Sequence, residues 1–283
     1  MTREPRPGRI RLDQLLVDRG LAETRSRAQA VIRAGSVYVD GQRSDKPGHS
    51  VTVDCEALVR QPNPYVSRGG TKLAAALDGL ELSVADQVAL DVGASTGGFT
   101  DCMLQRGARH VFAVDVGRGQ LAWRLRTDPR VTSLERTDVR TLDALPMTVR
   151  FATIDVAFIA VRAVLPAVWR LVAPGATVVA LVKPQFEAGR SDVGRGGIVR
   201  DPLIHRRVVE HVVGVAVDAG WSLVGGLPSP ITGADGNREF LVALRRPPTQ
   251  GEQTQGEQTQ GEQRPSPAVL ALFVDACLGP TEP

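Results

Sequence analysis

The spacing of apolar positions changes period several times along this chain, and each change marks an element. Ile10, Leu12, Leu15 and Leu16 recur at helical spacing, with Gly20 behind them as a stop. Thr24 and Ser26 are candidate caps for a second helix over 27–34, closed by Gly35. Val37-Tyr38-Val39 followed by Asp40-Gly41 predicts a strand and a tight turn. Two short helices and a small sheet make a domain of residues 9–60, and Pro62 and Pro64 break the chain in a linker over 61–66.

Over residues 67–246 the pattern differs. Apolar β-type runs at 87–92, 111–116, 131–135, 151–156, 177–182, 223–227 and 240–244 alternate with helical stretches at 72–80, 161–172 and 203–219. That alternation predicts an α/β domain with a largely parallel sheet. The segment 247–265 repeats Thr-Gln-Gly-Glu-Gln three times without an apolar residue, so it is expected to be a disordered linker. A short apolar stretch within 266–279 is a candidate C-terminal helix.

Composition narrows the class. Apolar content of 42% and charged content of 23% describe an ordinary globular chain, and no apolar run is long enough to span a bilayer. The basic, Pro-bearing start is no secretory signal. Cys55, Cys102 and Cys277 form neither a disulfide framework nor a zinc spacing, which fits a reducing cytoplasm. His49, His110, His205 and His211 show no metal pattern either and are expected to be surface or structural. The net charge of +3 is all in the first sixty residues, which hold eleven Arg/Lys against eight Asp/Glu. Excess positive charge there suits phosphate contact, although a solvated mixed-charge face would look the same.

Thirty-one arginines stand against three lysines: Lys46, Lys72 and Lys183. Where a solvated cation suffices this chain uses Arg, so a retained Lys hints at a compact ammonium that can also lose its proton. Lys72 opens a helical stretch and Lys183 ends a strand-like run. Asp155 ends another run, and Glu239 opens the last. All four are expected at the sheet edge where ligands bind in open α/β folds. Taken singly, each also has a plain reading as a solvated charge or a helix cap.

Asp91-Val92-Gly93-Ala94-Ser95-Thr96-Gly97-Gly98-Phe99 follows the first strand and opens a helix. Its glycines allow close backbone approach and the helix N-terminus offers free N–H groups. The spacing is not the dinucleotide G-x-G-x-x-G, which opposes a dehydrogenase. Asp115, ending the second strand, could accept from a ribose diol. Asp138, after the third, could meet an adenine amino group.

Arg11-Leu12-Asp13-x-x-Leu16, Gly20-Leu21, Ser26-Arg27-x-x-Ala30, Ile32-x-x-Gly35-x-Val37-x-Val39-x-Gly41 and Lys46-Pro47 together resemble an S4 RNA-binding domain. The resemblance implies RNA contact through Arg11, Arg25, Arg27, Arg33 and Lys46. Residues 67–246 resemble a class I S-adenosylmethionine-dependent, FtsJ-like methyltransferase. That implies a Rossmann-like seven-stranded sheet with its last strand antiparallel. It also implies cofactor contact through Asp91, Gly93, Ala94, Ser95, Gly97, Gly98, Phe99, Asp115 and Asp138.

Ser67-Arg68-Gly69-Gly70-x-Lys72-Leu73, Lys183-Pro184-Gln185-Phe186-Glu187 and Gly236-Asn237-x-Glu239-Phe240, with the S4-plus-methyltransferase order, resemble the TlyA (haemolysin-A-like) ribose methyltransferases. That resemblance implies a Lys72-Asp155-Lys183-Glu239 tetrad and 2′-O-methylation of cytidine in ribosomal RNA (16S and/or 23S). It implies Arg68 as a further RNA contact and S-adenosylmethionine as the cofactor. The expected partners are ribosomal RNA and ribosomal subunits, with no metal, no DNA and no membrane; a monomer is expected. The alternatives are a membrane-active haemolysin and a non-catalytic S4-type RNA-binding protein.

Overall fold

The computed structural model describes residues 8–59, 63–249 and 265–279. The chain divides into two units, Met1–Asn63 and Pro64–Pro283. Of the segment expected to be a disordered linker, residues 250–264 lie outside the described residues.

The first unit runs β1 (Arg9–Arg11), α1 (Leu12–Asp18), α2 (Arg25–Arg33), β2 (Val37–Val39), β3 (Gln42–Ser44), β4 (Ser50–Thr52) and β5 (Ala57–Val59). Ile10, expected on the first helix, sits on β1 instead. It pairs with Val51 of antiparallel β4, and the helix starts two residues later. Thr24 caps α2 by accepting from the Arg27 N–H. Asp40 and Gly41 both have positive φ, the backbone a two-residue hairpin between β2 and β3 requires. Leu12, Leu15, Leu16, Ala28, Ile32 and Val37 form the core under these elements.

The second unit runs α3 (Gly69–Gly79), β6 (Val88–Val92), α4 (Gly98–Gln105), β7 (His110–Asp115), α5 (Trp123–Arg126), β8 (Val131–Glu135), β9 (Val149–Ile154), α6 (Leu165–Leu171), β10 (Val172–Val182), α7 (Pro184–Glu187), α8 (Pro202–Asp218), β11 (Ser222–Pro228), β12 (Phe240–Arg245) and α9 (Pro267–Leu278). Its seven-stranded sheet has the order β11-β12-β10-β9-β6-β7-β8. Neighbours from β10 to β8 are parallel, and β12 runs antiparallel to both of its neighbours. This is the mixed α/β architecture the sequence predicts.

Strand residues alternate between two cores, as a pleated strand requires. Val88, Leu90 and Val92 of β6 face the layer holding α6, α8 and α9, while Ala89 faces α3, α4 and α5. One helix is shorter than its pattern. Over 161–172, only Leu165–Leu171 is α-helical, with Pro166 in its first turn. Proline is tolerated there because that N–H needs no helical partner. From Val172 the backbone is already extended into β10.

Five parallel strands with helical crossovers send the loops after β6, β7, β9 and β10 to one edge of the sheet, where open α/β folds bind ligands. Because β12 is antiparallel, its start lies at that same edge.

Candidate active site

The strand geometry places four charged side chains together. Asp155 is one residue beyond β9 and Lys183 one beyond β10. Val182 is in register with Phe240, so Lys183 and Glu239 flank the same rung of the β10–β12 ladder. Lys72 enters from the second turn of α3. All four line one cavity of about 250 Å³, together with Gly93, Ala94, Ser95, Thr96, Gly98 and Phe99 of the turn after β6.

They associate as two ion pairs. Lys72 Nζ pairs with Glu239 Oε2, and both side chains are buried. Lys183 Nζ lies 2.6 Å from Asp155 Oδ1, in a partly open setting. That oxygen makes no well-angled hydrogen bond, so the contact is an ion pair without hydrogen-bond geometry. Lys183 also stands 6.0 Å from the centroid of the Phe186 ring.

A second cavity, of about 340 Å³, continues from the first through Gly93, Ser95 and Asp155. Asp115 and Asp138 line it, with Val116, Gln120 and Phe158. Asp115 orders the loops beside it by accepting from the N–H of Ser95 at 2.8 Å and of Gly117 at 2.7 Å. The Arg140 guanidinium and N–H hold the Asp138 carboxyl below the usual carboxylate range. Gly93 has φ +84, and a Cβ there would lie 2.4 Å from the Asp155 carbonyl oxygen. At Gly98 a Cβ would meet the Ser67 hydroxyl at 2.2 Å, so this glycine lets α4 and the start of α3 approach.

Two expected ligand contacts fall elsewhere. Asp91 is fully buried beneath the turn, accepting from Thr100 Oγ1 at 2.6 Å and from Thr153 Oγ1 at 2.9 Å. Burial, with a smaller contribution from the Asp155 charge, pushes its carboxyl up to about 6 despite these hydrogen bonds. It lines neither cavity. Gly97 does not line them either. A Cβ there would run into the Leu121 and Leu125 side chains of the core.

In the first unit the predicted RNA contacts divide. Arg11 and Arg25 both pair with the buried Asp13, and the Arg11 guanidinium holds that carboxyl well below its usual range despite burial. Arg27, Arg33 and Lys46 are exposed and form no ion pair among the described residues. In the second unit Arg68 is exposed and lines the cavity of the four charged groups.

Sequence reasoning missed three residues beside the site. Phe158 is 88% exposed with φ +66, and its ring lies 5.3 Å from that of Phe186. An exposed aromatic in a strained backbone is a recognisable signal, but only once exposure is known. Glu187 is buried, accepting from the Val161 N–H at 2.5 Å and from Arg162 at 2.8 Å, and so ties the loops after β9 and β10 together. Asn237 is fully buried. Both stand inside motifs already singled out, where the adjacent Lys183 and Glu239 drew the attention.

Residues 65–246 match the family of FtsJ-like methyltransferases, and residues 10–54 match the S4 domain. A protein named 16S/23S rRNA (cytidine-2′-O)-methyltransferase TlyA, from Mycobacterium tuberculosis, is 46% identical over 84% of this chain and 90% of its own length. One named Hemolysin A, from Brachyspira hyodysenteriae, is 39% identical over 82% of this chain and 98% of its own length. A solved structure from Streptococcus thermophilus, provisionally named a hemolysin, superposes with a TM-score of 0.69. It is 43% identical and covers 95% of each chain.

Proposed function

The chain belongs to the FtsJ-like methyltransferase family, with an S4 domain ahead of the catalytic fold, and on that premise we propose that it 2′-O-methylates cytidine in ribosomal RNA (16S and/or 23S) in the cytoplasm, with S-adenosylmethionine as methyl donor. One juxtaposition carries the reading. Lys72, Asp155, Lys183 and Glu239 share a cavity with the turn after β6.

The residues present fit that cofactor. The missing Cβ at Gly93 lets the turn pack directly against the Asp155 backbone, and the turn itself lines both cavities. A carboxylate offers about four lone-pair sites. Asp115 spends two on backbone N–H groups, which leaves sites for a ribose diol. Val116 and Phe158 add apolar surface, and Asp138 a further acceptor. Bound there, S-adenosylmethionine supplies an electrophilic methyl group. The remaining work falls to side chains of this chain.

A ribose hydroxyl is a poor nucleophile until its proton is leaving. Lys183 accepts or steers that proton at Nζ as the oxygen gains the methyl group. Asp155 fixes the amine in place from 2.6 Å. Lys72 directs positive charge at the developing alkoxide, and Glu239 holds Lys72. Positioning and general-base help are what such a reaction asks of a protein. Phe158, backed by Phe186, offers a face on which a base turned out of the RNA can stack. The exposed Arg27, Arg33 and Lys46 of the first unit suit RNA phosphates.

The haemolysin alternative has no structural observation in its favour, since no helix among the described residues is long and apolar enough to cross a membrane. The test is product chemistry. Ribosomal subunits lacking the modification are incubated with the protein and methyl-labelled S-adenosylmethionine, and the RNA is digested to nucleosides. Label in 2′-O-methylcytidine is expected. Label in a base-methylated nucleoside, or no label, overturns the proposal.

A further inference from the structure

We propose that the loop over residues 189–200 is a second RNA-backbone contact, carried by the catalytic domain and fastened beside Glu239 by Asn237. The inference rests on the RNA substrate proposed above.

The loop leaves α7, which begins immediately after Lys183, and ends at the cap of α8. It carries Arg190, Arg195 and Arg200, all exposed and none in an ion pair among the described residues. Arginines elsewhere in this unit are commonly spent on carboxylates, as in Arg106 with Asp78, Arg130 with Asp128 and Arg140 with Asp138. The acids beside the loop are already committed. Asp192 pairs with Arg207, and Asp201 caps α8 by accepting from the Leu203 N–H. Three free guanidinium groups therefore remain, and a guanidinium matches phosphate geometry with two parallel N–H groups.

The fastening is specific. Asn237 Oδ1 accepts from the Val199 N–H at 2.9 Å, and its Nδ2 donates to the Gly197 carbonyl at 3.0 Å. Its own carbonyl accepts from the Gly233 N–H at 2.8 Å. His205 adds a ring contact of 3.0 Å to the Val199 carbonyl. Two residues after Asn237 comes Glu239, whose carboxylate lines the site. One buried amide thus joins the loop that follows Lys183 to the strand end that carries Glu239. A phosphate held by Arg195 or Arg200 would be referenced to the groups that must meet the ribose. Asn237 is then a positioning residue and the arginines are substrate contacts.

The test uses the full chain and ribosomal subunits lacking the modification, with Arg195→Ala/Arg200→Ala as one variant and Asn237→Ala as another. Initial rates give KM for subunits and kcat; equilibrium binding to the same subunits is measured over 50 to 200 mM salt; calorimetry gives affinity for S-adenosylmethionine. The arginine variant is expected to raise the subunit KM about tenfold and to flatten the salt dependence of binding by about one to two counterions. Its cofactor affinity should stay within about twofold of the parent, since neither arginine lines a cofactor cavity. Asn237→Ala is expected to raise the same KM and also lower kcat, with Asn237→Asp, which keeps the acceptor, recovering part of both. Unchanged subunit KM, binding and salt slope in the arginine variant, with the parent active, overturn the loop's role and leave the proposed function standing. A parent that binds subunits but transfers no methyl overturns the proposed function, and the salt slopes still decide the loop.

Discussion

Lys183 and Asp155 meet at the carboxyl ends of neighbouring parallel strands, Nζ 2.6 Å from Oδ1, although all of α6 lies between them in the sequence. The carboxylate is close enough to hold the amine, although that oxygen is itself buried and makes no well-angled hydrogen bond. Lys72 and Glu239 make the deeper pair. Lys183 and Asp155 thus form the more accessible pair, and Lys72 and Glu239 the buried one.

Breaking the buried pair from one side should cost far more than removing it whole. Lys72→Met leaves Glu239 charged and only 3% exposed, so a loss of about 3–5 kcal/mol in unfolding free energy is expected. The double variant Lys72→Met/Glu239→Leu should recover most of that stability while remaining inactive. Denaturant titration beside a methyl-transfer assay checks both. A double variant as unstable as the single one would mean that the pair is not an isolated charge couple.

Asp91 makes stability depend on pH. Its folded value, about 6, lies above the ordinary 3.8, so the fold favours the protonated form. That contribution is fully present below about pH 4 and is lost as pH rises through about 6. The shift corresponds to roughly 3 kcal/mol at pH 7. Asp91→Asn keeps an acceptor for Thr153 without the charge. It should therefore gain on the parent progressively between pH 4 and 6. Unfolding curves for the two proteins that run parallel over that range would contradict this.

Asp115 should matter for the cofactor more than for the fold. Asp115→Ala removes the acceptor facing the second cavity and frees the Ser95 and Gly117 N–H groups. A charged hydrogen bond is worth about 1.5–3 kcal/mol, so affinity for S-adenosylmethionine should fall roughly 10- to 100-fold by calorimetry. Unchanged affinity would move the ribose away from this carboxylate.

Gly93→Ala should fail in both respects. The residue has φ +84, and the added Cβ would sit 2.4 Å from a backbone oxygen of Asp155, an atom with little freedom to yield. A loss of about 2–3 kcal/mol in stability and measurable loss of cofactor binding are expected. A variant with parental Tm and affinity would show that the turn is not held as described.

Much of this was legible in the sequence because it is local. All seven strands announce themselves as short β-type apolar runs, and strand ends can be counted from those runs. Hence Asp155, Lys183 and Glu239 can be placed at one edge from the sequence, and Lys72 on the helix that precedes the first strand of the large sheet. What was not legible depends on partners far along the chain. Asp91 sits in the motif expected to touch cofactor, yet Thr100 and Thr153 take its carboxyl inward. Ile10 fits a helical spacing but is claimed by Val51 of β4. Arg11 and Arg25 look like free cations until the buried Asp13 is seen between them. Phe158, Glu187 and Asn237 acquire meaning only through exposure or cross-loop hydrogen bonds, which no spacing encodes.

The most direct test of the tetrad is single-turnover methyl transfer to unmodified ribosomal subunits by the parent, Lys183→Ala and Lys183→Arg, with calorimetric confirmation that both variants bind S-adenosylmethionine. Loss of the proton acceptor should slow the chemical step by about 10²–10⁴-fold. Arginine should not rescue it, because a guanidinium does not give up its proton near neutral pH. Transfer by Lys183→Ala at the parental rate would contradict the account, since the amine beside Asp155 would then have no part in making the ribose oxygen reactive.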